Sequence, residues 1–245
     1  RVVEIQENLG ADIAMCLDEC VPFPSSHEYT RDSVGLTTRW AKRCKAAKRV
    51  DGQQLFGIVQ GGAFEDLRRR STEELVELDF DGYALGGFSV GEPKSIMWEM
   101  AEVVLAGLPV EKPRYLMGLG FPEDIVHGVS MGIDMFDCVI PTRHARNGNL
   151  FTTAGRLNIK HARFTRDERP VDESCTCYTC RNFSRAYLRH LFISRELTSY
   201  VLNTLHNIHF YMDLLRKIRE SISQHRFEEF HNGFLSQWRG GELDD

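Results

Sequence analysis

The chain has 245 residues, of which 42% are hydrophobic and 27% are charged, proportions typical of a globular protein that buries an apolar core. No apolar run approaches the roughly 20 residues that a transmembrane helix needs, and the net charge of −5 predicts no general affinity for nucleic acid. Seven cysteines without a visible secretory signal indicate a reducing compartment, so we expect a cytoplasmic protein.

Short apolar, β-prone runs alternate with amphipathic stretches of helical length over the first 140 residues. The predicted strands are Ile13–Leu17, Leu55–Val59, Gly82–Leu85, Arg114–Gly118 and Met135–Ile140. The predicted helices lie at about 30–49, 63–78, 93–106 and 122–130. This alternation predicts an α/β fold with a parallel sheet. Five strands are too few for a closed (β/α)₈ barrel, so either the sheet is open or three strands are missing.

Each predicted strand ends in polar or glycine-rich residues, at the edge where parallel sheets build their ligand sites. They are Asp18-Glu19-Cys20, Gln60-Gly61-Gly62, Gly86-Gly87-Phe88-Ser89, Gly118-Leu119-Gly120, and Asp137 inside Phe136-Asp137-Cys138. Structural explanations also exist for each type. A carboxylate can cap a helix or join an ion pair, a glutamine can be an ordinary loop residue, and a glycine pair can form a simple turn.

The pattern changes after residue 141. The segment from Pro141 to Arg166 contains six Lys or Arg residues and no acidic residue, which favours contact with phosphates over a merely solvated loop. The basic residues between 39 and 49 have helical spacing and are more typical of a solvated helix face. Glycines punctuate a predicted β-hairpin at Asn147–Ile159, and a helix-rich region follows from about 183 to 238.

A cluster of cysteines is the strongest local signal. Cys175, Cys177 and Cys180 lie within six residues, and three thiolates with one imidazole satisfy tetrahedral zinc. Four protein ligands would leave no open position for water, so we expect one structural Zn²⁺. Spacing alone leaves His190, His206 and His209 as candidates for the fourth ligand, and surface thiols without metal are the alternative.

Four segments together resemble the tRNA-guanine transglycosylases, the base-exchange enzymes of the queuosine pathway. They are Gly57–Gly62, Leu85–Glu92, Phe136–Arg143 with Arg146-Asn147-Gly148, and the cysteine cluster with His206-Asn207. The resemblance implies a partial (β/α)₈ barrel, strands four to eight, followed by a zinc-binding subdomain and C-terminal helices. It divides the chain into a partial barrel at 1–145, a zinc subdomain at 146–210 and C-terminal helices at 211–245. It also selects His206 as the fourth zinc ligand.

The resemblance implies a nucleophile and a set of base-binding residues. Asp137 would attack the ribose C1′ of the target guanosine, expel guanine and form a covalent tRNA–enzyme ester. Asp18 would accept from N1 and N2 of guanine and Gln60 would donate to O6, although Glu19 competes with Asp18 from sequence alone. The remaining base contacts would come from Gly86, Gly87, Phe88 and Met117. A core methionine is the alternative for Met117.

The resemblance also implies an RNA partner. Arg143 and Arg146 would hold the anticodon loop of tRNAs with GUN anticodons, whose single-stranded bases can leave the stack. Val90 and Cys20 match the bacterial pocket, which favours preQ1 (7-aminomethyl-7-deazaguanine) over the bulkier queuine as incoming base. Bacterial relatives form homodimers, so we expect a homodimer of the full-length enzyme.

The family's first three strands, which carry a second aspartate proposed to shuttle protons, have no counterpart in the sequence, and the chain opens on Arg1 without an initiator methionine. We therefore expect this polypeptide alone to be poorly soluble and inactive.

Two other functions stay open. One is a non-catalytic RNA-binding relative that keeps only the zinc site. The other is a zinc-dependent hydrolase, which would need an open metal position that the cysteine cluster does not offer.

Overall fold

The computed structural model describes residues 1–239. The chain divides into two compact units. The first comprises residues 1–119 and 131–137, and the second comprises residues 120–130 and the chain from 138 onward. Within the described residues, no helix is both long and apolar enough to cross a membrane.

The first unit is a five-stranded parallel sheet with four helices. The strands are β1 (Ile13–Met15), β2 (Gln54–Val59), β3 (Gly82–Leu85), β4 (Arg114–Leu116) and β5 (Met135–Phe136). The helices are α1 (Val2–Leu9), α2 (His27–Ala47), α3 (Glu65–Val76) and α4 (Lys94–Gly107). The strands lie side by side in chain order, β1-β2-β3-β4-β5, and every neighbouring pair is parallel. This order lacks the reversal of a doubly wound sheet and is the order found in the wall of a (β/α) barrel.

The core of the first unit forms where buried strands meet the apolar stripes of the helices. Residues Leu55 to Val59 of β2 are all buried, as expected for a strand covered on both faces. Helix α4 buries Met97, Ala101 and Val104, whose helical spacing directs them into one cluster with the sheet residues. Because all five strands are parallel, their carboxyl ends lie at one edge, and the predicted functional residues follow those ends.

The sequence placed the ends of three strands too late: the strand predicted at Ile13–Leu17 ends at Met15, and two others also end early. The strand predicted at Met135–Ile140 ends at Phe136, because Ile140 already begins a helix in which Pro141 occupies the first turn. Proline lacks an N–H and has a φ that suits the start of a helix better than a central strand. The strand predicted at Arg114–Gly118 ends at Leu116, and Gly118 has a left-handed φ of 75° that a strand does not accommodate.

The second unit consists of helices around a two-stranded hairpin. Its helices are α5 (Pro122–Ser130), α6 (Ile140–Arg146), α7 (Tyr178–Asn182), α8 (Arg185–Ile193), α9 (Leu197–Ser223) and α10 (Phe227–Arg239), with a 3₁₀ turn at Ala162–Phe164. The predicted hairpin is confirmed, with antiparallel strands β6 (Asn149–Thr152) and β7 (Gly155–Asn158). A second apolar cluster combines hairpin residues such as Leu150 and Leu157 with Leu188 and Leu202 of α8 and α9.

Candidate functional site

Asp18 and Gln60 come together at the carboxyl edge of the sheet, after β1 and β2. The Gln60 Nε2 donates a hydrogen bond of 2.6 Å to Asp18 Oδ2. Gln60 is 1% exposed, and its Oε1 is buried without a hydrogen-bond partner among the described residues. Burial raises the pKa of the Asp18 carboxyl, and the bond from Gln60 opposes that rise. A half-buried carboxylate and an orphaned acceptor leave this cluster with hydrogen-bonding capacity that the chain does not use.

Gly86 and Gly87 follow β3 and lie against Gln60. A side chain at Gly86 would lie within 2.7 Å of Gln60 Nε2, and one at Gly87 would collide with Gln60 Oε1. Gly87 also has a φ of 68°, in the left-handed region that disfavours other residues. The glycine pair therefore lets the backbone pack directly against the Gln60 carboxamide.

Arg68 of α3 lies beneath these glycines and is completely buried. Its Nε donates to the carbonyl oxygen of Gly62, and its Nη1 donates to those of Val59 and Gly86. Its Nη2 donates to the Gly87 carbonyl oxygen at 3.3 Å. The guanidinium carbon lies 4.0 Å from the centre of the Phe88 ring, a cation–π distance. Phe88 is thus buried against Arg68, and Arg68 ties the ends of β2 and β3 together.

Met117 follows β4 and is partly buried, with its backbone N–H bonded to the Leu85 carbonyl. That bond extends the pairing of β3 and β4 by one residue. It places Met117 at the same edge of the sheet as the glycine pair.

Asp137 follows β5 directly and its side chain is exposed. Its Oδ1 accepts two hydrogen bonds, from the Tyr115 hydroxyl at 2.6 Å and from the Gly118 backbone N–H at 2.8 Å. Burial, and then the bond to Asp137, raises the pKa of Tyr115, so the phenol stays neutral and acts as the donor. Among the described residues no bond reaches Oδ2. One carboxylate oxygen is therefore fixed while the other stays accessible.

The predicted metal ligands converge in the second unit. The ligand atoms of Cys175, Cys177, Cys180 and His206 all lie within 4.8 Å of one another. The Nδ1 of His206 is 3.8, 3.6 and 3.3 Å from the three sulfurs in that order. A tetrahedral zinc with Zn–S of about 2.3 Å and Zn–N of about 2.0 Å separates such ligands by about 3.5 Å, so the cluster fits the ion.

The surroundings of the cluster hold its ligands in place. The His206 Nε2 lies 2.7 Å from the Phe151 carbonyl oxygen of β6, a partner that leaves Nδ1 facing the sulfurs. The neighbouring Asn207 accepts from the Phe151 N–H and donates to the carbonyls of Pro141 and Asn149. The cluster thereby links the cysteine loop, the hairpin and α9. Spacing alone did not distinguish His206, and this geometry does.

Arg143 and Arg146 lie on α6, and both are exposed. Both belong to the last turn of this seven-residue helix, and Gly148 then leads into β6. The part of the basic segment 141–166 that carries Arg143 and Arg146 is therefore a helix that continues into the hairpin, and it is not a free loop.

Sequence reasoning missed Arg68, Tyr115 and Asp172. Asp172 is 5% exposed and accepts bonds from the Thr153 and Ser174 N–H groups, which fixes the loop that carries Cys175. Arg68 stands in the run Arg68-Arg69-Arg70, where nothing in the sequence separates the buried arginine from its exposed neighbours. Tyr115 lies inside a predicted strand, and only its pairing register with β5 brings it to Asp137.

Comparison with known proteins gives a consistent result. The family model described as queuine tRNA-ribosyltransferase matches residues 1–240. The queuine tRNA-ribosyltransferase of Syntrophobacter fumaroxidans is 56% identical over 232 residues, covering 95% of this chain and 62% of the relative. That of Nitratidesulfovibrio vulgaris is 56% identical over 236 residues, with 96% and 63% covered. That of Caldanaerobacter subterraneus is 54% identical over 241 residues, with 98% and 64% covered. The chain thus spans less than two thirds of the length of these relatives.

Proposed function

The chain belongs to the queuine tRNA-ribosyltransferase family, and on that premise we propose that it carries the site of a tRNA-guanine transglycosylase. The reaction exchanges the guanine at the anticodon wobble position for preQ1 and leads to queuosine. The observation that carries the proposal is the carboxylate of Asp137, which has one oxygen fixed by Tyr115 and Gly118 and the other accessible.

Asp137 performs the exchange in two displacements. Its Oδ2 forms a bond to the ribose C1′ as the bond from C1′ to guanine N9 breaks, and the electron pair leaves with guanine. The N9 of the incoming base then loses its proton and attacks C1′, which releases the carboxylate, while the departed guanine takes up a proton at N9. Two inversions retain the configuration at C1′, as in retaining glycoside chemistry. The hydrogen bonds to Oδ1 orient the nucleophile without consuming the attacking oxygen.

The cluster of Asp18, Gln60 and Gly87 reads the base. Guanine offers donors at N1 and N2 and an acceptor at O6. Asp18 accepts hydrogen bonds from N1 and N2, while the second N–H of Gln60 Nε2 and the Gly87 N–H donate to O6. The close approach of Gly86 and Gly87 to Gln60 supports this proposal because it brings the Gly87 backbone and the Gln60 carboxamide to the same place. Met117 stacks on the purine, and the backbone around Phe88 meets the substituent that distinguishes preQ1 from guanine.

One zinc ion, held by the three cysteines and His206, has a structural role. Four protein ligands leave no coordination position for substrate, and when bound the ion supplies only cross-linking of the cysteine loop to α9. The fit of the sulfur–nitrogen distances to tetrahedral zinc supports this assignment. We assign the ion no step in the chemistry.

The RNA partner is the anticodon loop of a tRNA with a GUN anticodon. Arg143 and Arg146 are exposed on α6, within a segment of six basic residues and no acidic one. Guanidinium groups bind phosphates, and a base in a single-stranded loop can leave its stack so that C1′ becomes accessible.

The larger architecture follows from the same premise. We assign β1 to β5 as strands four to eight of a (β/α)₈ barrel, followed by a zinc subdomain at 146–210 and C-terminal helices. We also propose a homodimer. Helix α9 has an exposed apolar stripe that suits a subunit interface, with members between 42% and 76% exposed. The stripe comprises Leu197, Val201, Leu205, Ile208 and Met212.

Trapping the covalent intermediate tests the function. Incubation of a GUN-anticodon tRNA with the chain, joined to the N-terminal part that its relatives carry, and with an excess of a guanine analogue that has carbon in place of N9 and so cannot attack C1′, should give an adduct that survives denaturing electrophoresis. Asp137→Asn should abolish the adduct, because an amide oxygen is a poor nucleophile, and should keep the fold. Asp134→Asn provides a matched control: this aspartate precedes β5, accepts from the Arg114 N–H and should leave adduct formation intact.

A non-catalytic RNA-binding relative is the second candidate. It would bind the same tRNA without forming any adduct, and Asp137→Asn would then leave tRNA affinity and every other readout unchanged. The presence of Asp18, Gln60 and Asp137 together at the ends of their strands favours the enzyme.

A further inference from the structure

Arg68 places a buried cation under the base-reading loop, and this arrangement needs an explanation. The side chain has no exposed surface, and burial lowers the pKa of the guanidinium to about 9, so it stays charged at neutral pH. Burying a charge is costly unless hydrogen bonds compensate it. Within the described residues, the side chain of Arg68 donates four hydrogen bonds, and all of them end on backbone carbonyl oxygens at or just after the ends of β2 and β3. A packing role alone would not require that convergence.

The bond from Arg68 to Gly86 fixes the direction of the next N–H. Arg68 Nη1 donates 2.7 Å to the Gly86 carbonyl oxygen. The peptide bond is planar and trans, so the Gly87 N–H points to the side opposite that carbonyl, away from Arg68. The Cys20 thiol lies on that side, where a hydrogen bond from the Gly87 backbone lowers its pKa against the larger effect of burial. The Gly87 N–H therefore faces Cys20, on the side of the loop away from Arg68, and Cys20 is close enough to Asp18 for that carboxylate to raise the pKa of its thiol.

The same cation also strengthens that donor. A hydrogen bond to a carbonyl oxygen withdraws electron density from the amide, and a charged donor does so more strongly than a neutral one. The glycine pair has no side chains that would resist rotation of the peptide plane, so an external group has to hold it. Arg68 both holds the orientation of the Gly86–Gly87 peptide plane and polarises its N–H.

We propose that Arg68 is a positioning residue for base recognition, which turns the Gly87 N–H toward the acceptor atom of the bound base and polarises it. The inference rests on the proposed function, because it assigns that acceptor to the carbonyl oxygen of a guanine-type base. Arg68 itself stays behind the loop and acts through the Gly86–Gly87 peptide. Lysine cannot replace it fully, because an ammonium group cannot span four carbonyls with the planar geometry of a guanidinium.

Comparison of guanine with 6-thioguanine isolates this effect. The two bases share the donors at N1 and N2 that Asp18 reads, but the sulfur of 6-thioguanine is a weaker acceptor than oxygen. Equilibrium binding of both bases would be measured by calorimetry on the wild-type protein and on Arg68→Gln, Arg68→Lys and Arg70→Gln. Arg70 lies on the same helix in an exposed pair with Glu74 and serves as the matched control.

The wild type should prefer guanine, and Arg68→Gln should reduce that preference by about tenfold, the size of one charge-assisted hydrogen bond. Arg68→Lys should fall between, and Arg70→Gln should not differ from the wild type. An unchanged preference in a folded Arg68→Gln protein overturns the role of Arg68 alone. If the wild type binds neither base, the proposed function fails with it.

Nuclear magnetic resonance of the wild type decides the question if the variants do not fold. Guanine should shift the Gly87 amide proton strongly downfield and 6-thioguanine should shift it less, with a parallel change in the Arg68 Nη resonances. If guanine binds while the Gly87 amide does not move, Arg68 does not orient a donor for the base. A purely structural arginine would leave the Arg68 Nη resonances unaffected by the choice of base.

Discussion

The metal cluster and the group of polar residues at the strand ends (Asp18, Gln60 and Asp137) differ in whether their polar atoms have protein partners. Around the metal cluster, His206, Asn207 and Asp172 each have protein partners for their polar atoms. At the strand ends, Gln60 Oε1 has no partner among the described residues, Asp18 has a raised pKa and Asp137 offers a free oxygen. Satisfied networks stabilise a fold, whereas unsatisfied groups cost stability and persist where a ligand completes them. The difference separates a structural site from a binding site without reference to any relative.

Removal of one metal ligand should have the largest effect on stability. Cys177→Ser should abolish zinc binding and destabilise the cysteine loop and α9 by several kcal/mol, since structural zinc contributes on the order of 10 kcal/mol to small zinc domains. Metal analysis and hydrogen exchange check this, with loss of protection expected over residues 170–210 and a smaller change in β2 and β3.

Cys44→Ser is the control for removal of a thiol, because Cys44 is a buried cysteine of α2 outside the cluster. It should retain about one zinc per chain. Full zinc content in Cys177→Ser, or equal loss of protection in both variants, would contradict a closed structural site.

The sequence predicted the candidate metal site more completely than the proposed base-binding site, for a physical reason. Three ligands lie within six residues, so local spacing carries the chemistry of the cluster. The residues that we propose to bind the base follow different strands. Only the parallel register brings Asp18 to Gln60, and Tyr115 to Asp137. The alternation of strands and helices predicted that the strand ends would share an edge, but not which buried arginine or tyrosine would support them.

Neutralising Asp18 should reduce base binding and increase stability. Asp18→Asn should weaken guanine binding by about 10- to 100-fold, because a charged acceptor of two donors is lost. Burial raises the pKa of Asp18 in the folded protein, so above that pKa the ionised form is penalised relative to the unfolded chain. Asparagine removes the penalty and should raise the melting temperature.

The raised pKa of Asp18 also predicts that the affinity for guanine depends on pH. Guanine needs the ionised Asp18, so its affinity should fall as pH decreases through a pKa that lies above the usual aspartate range. Calorimetric titrations from pH 7 downward check this, and Asp18→Asn should flatten the profile. Glu19→Gln, which changes the adjacent carboxylate that accepts from the Tyr29 hydroxyl, should leave both affinity and profile intact. If Glu19→Gln behaves like Asp18→Asn, the base reader has been assigned to the wrong carboxylate.

Loss of the Tyr115 hydroxyl should have the smallest effect. It tests most directly whether the polar groups at the strand ends serve chemistry, unlike those around the metal cluster, which serve stability. Tyr115→Phe removes one of the two bonds to Asp137 Oδ1 and keeps the Gly118 N–H. The rate of covalent adduct formation should fall by about tenfold, the value of one hydrogen bond that orients a nucleophile, while guanine affinity stays unchanged. Tyr29→Phe removes an exposed hydroxyl and controls for the substitution itself. A structural tyrosine would instead lower the melting temperature and leave the rate of the folded protein intact, so measuring both quantities on each variant decides whether Tyr115 belongs to the chemistry or only to the sheet.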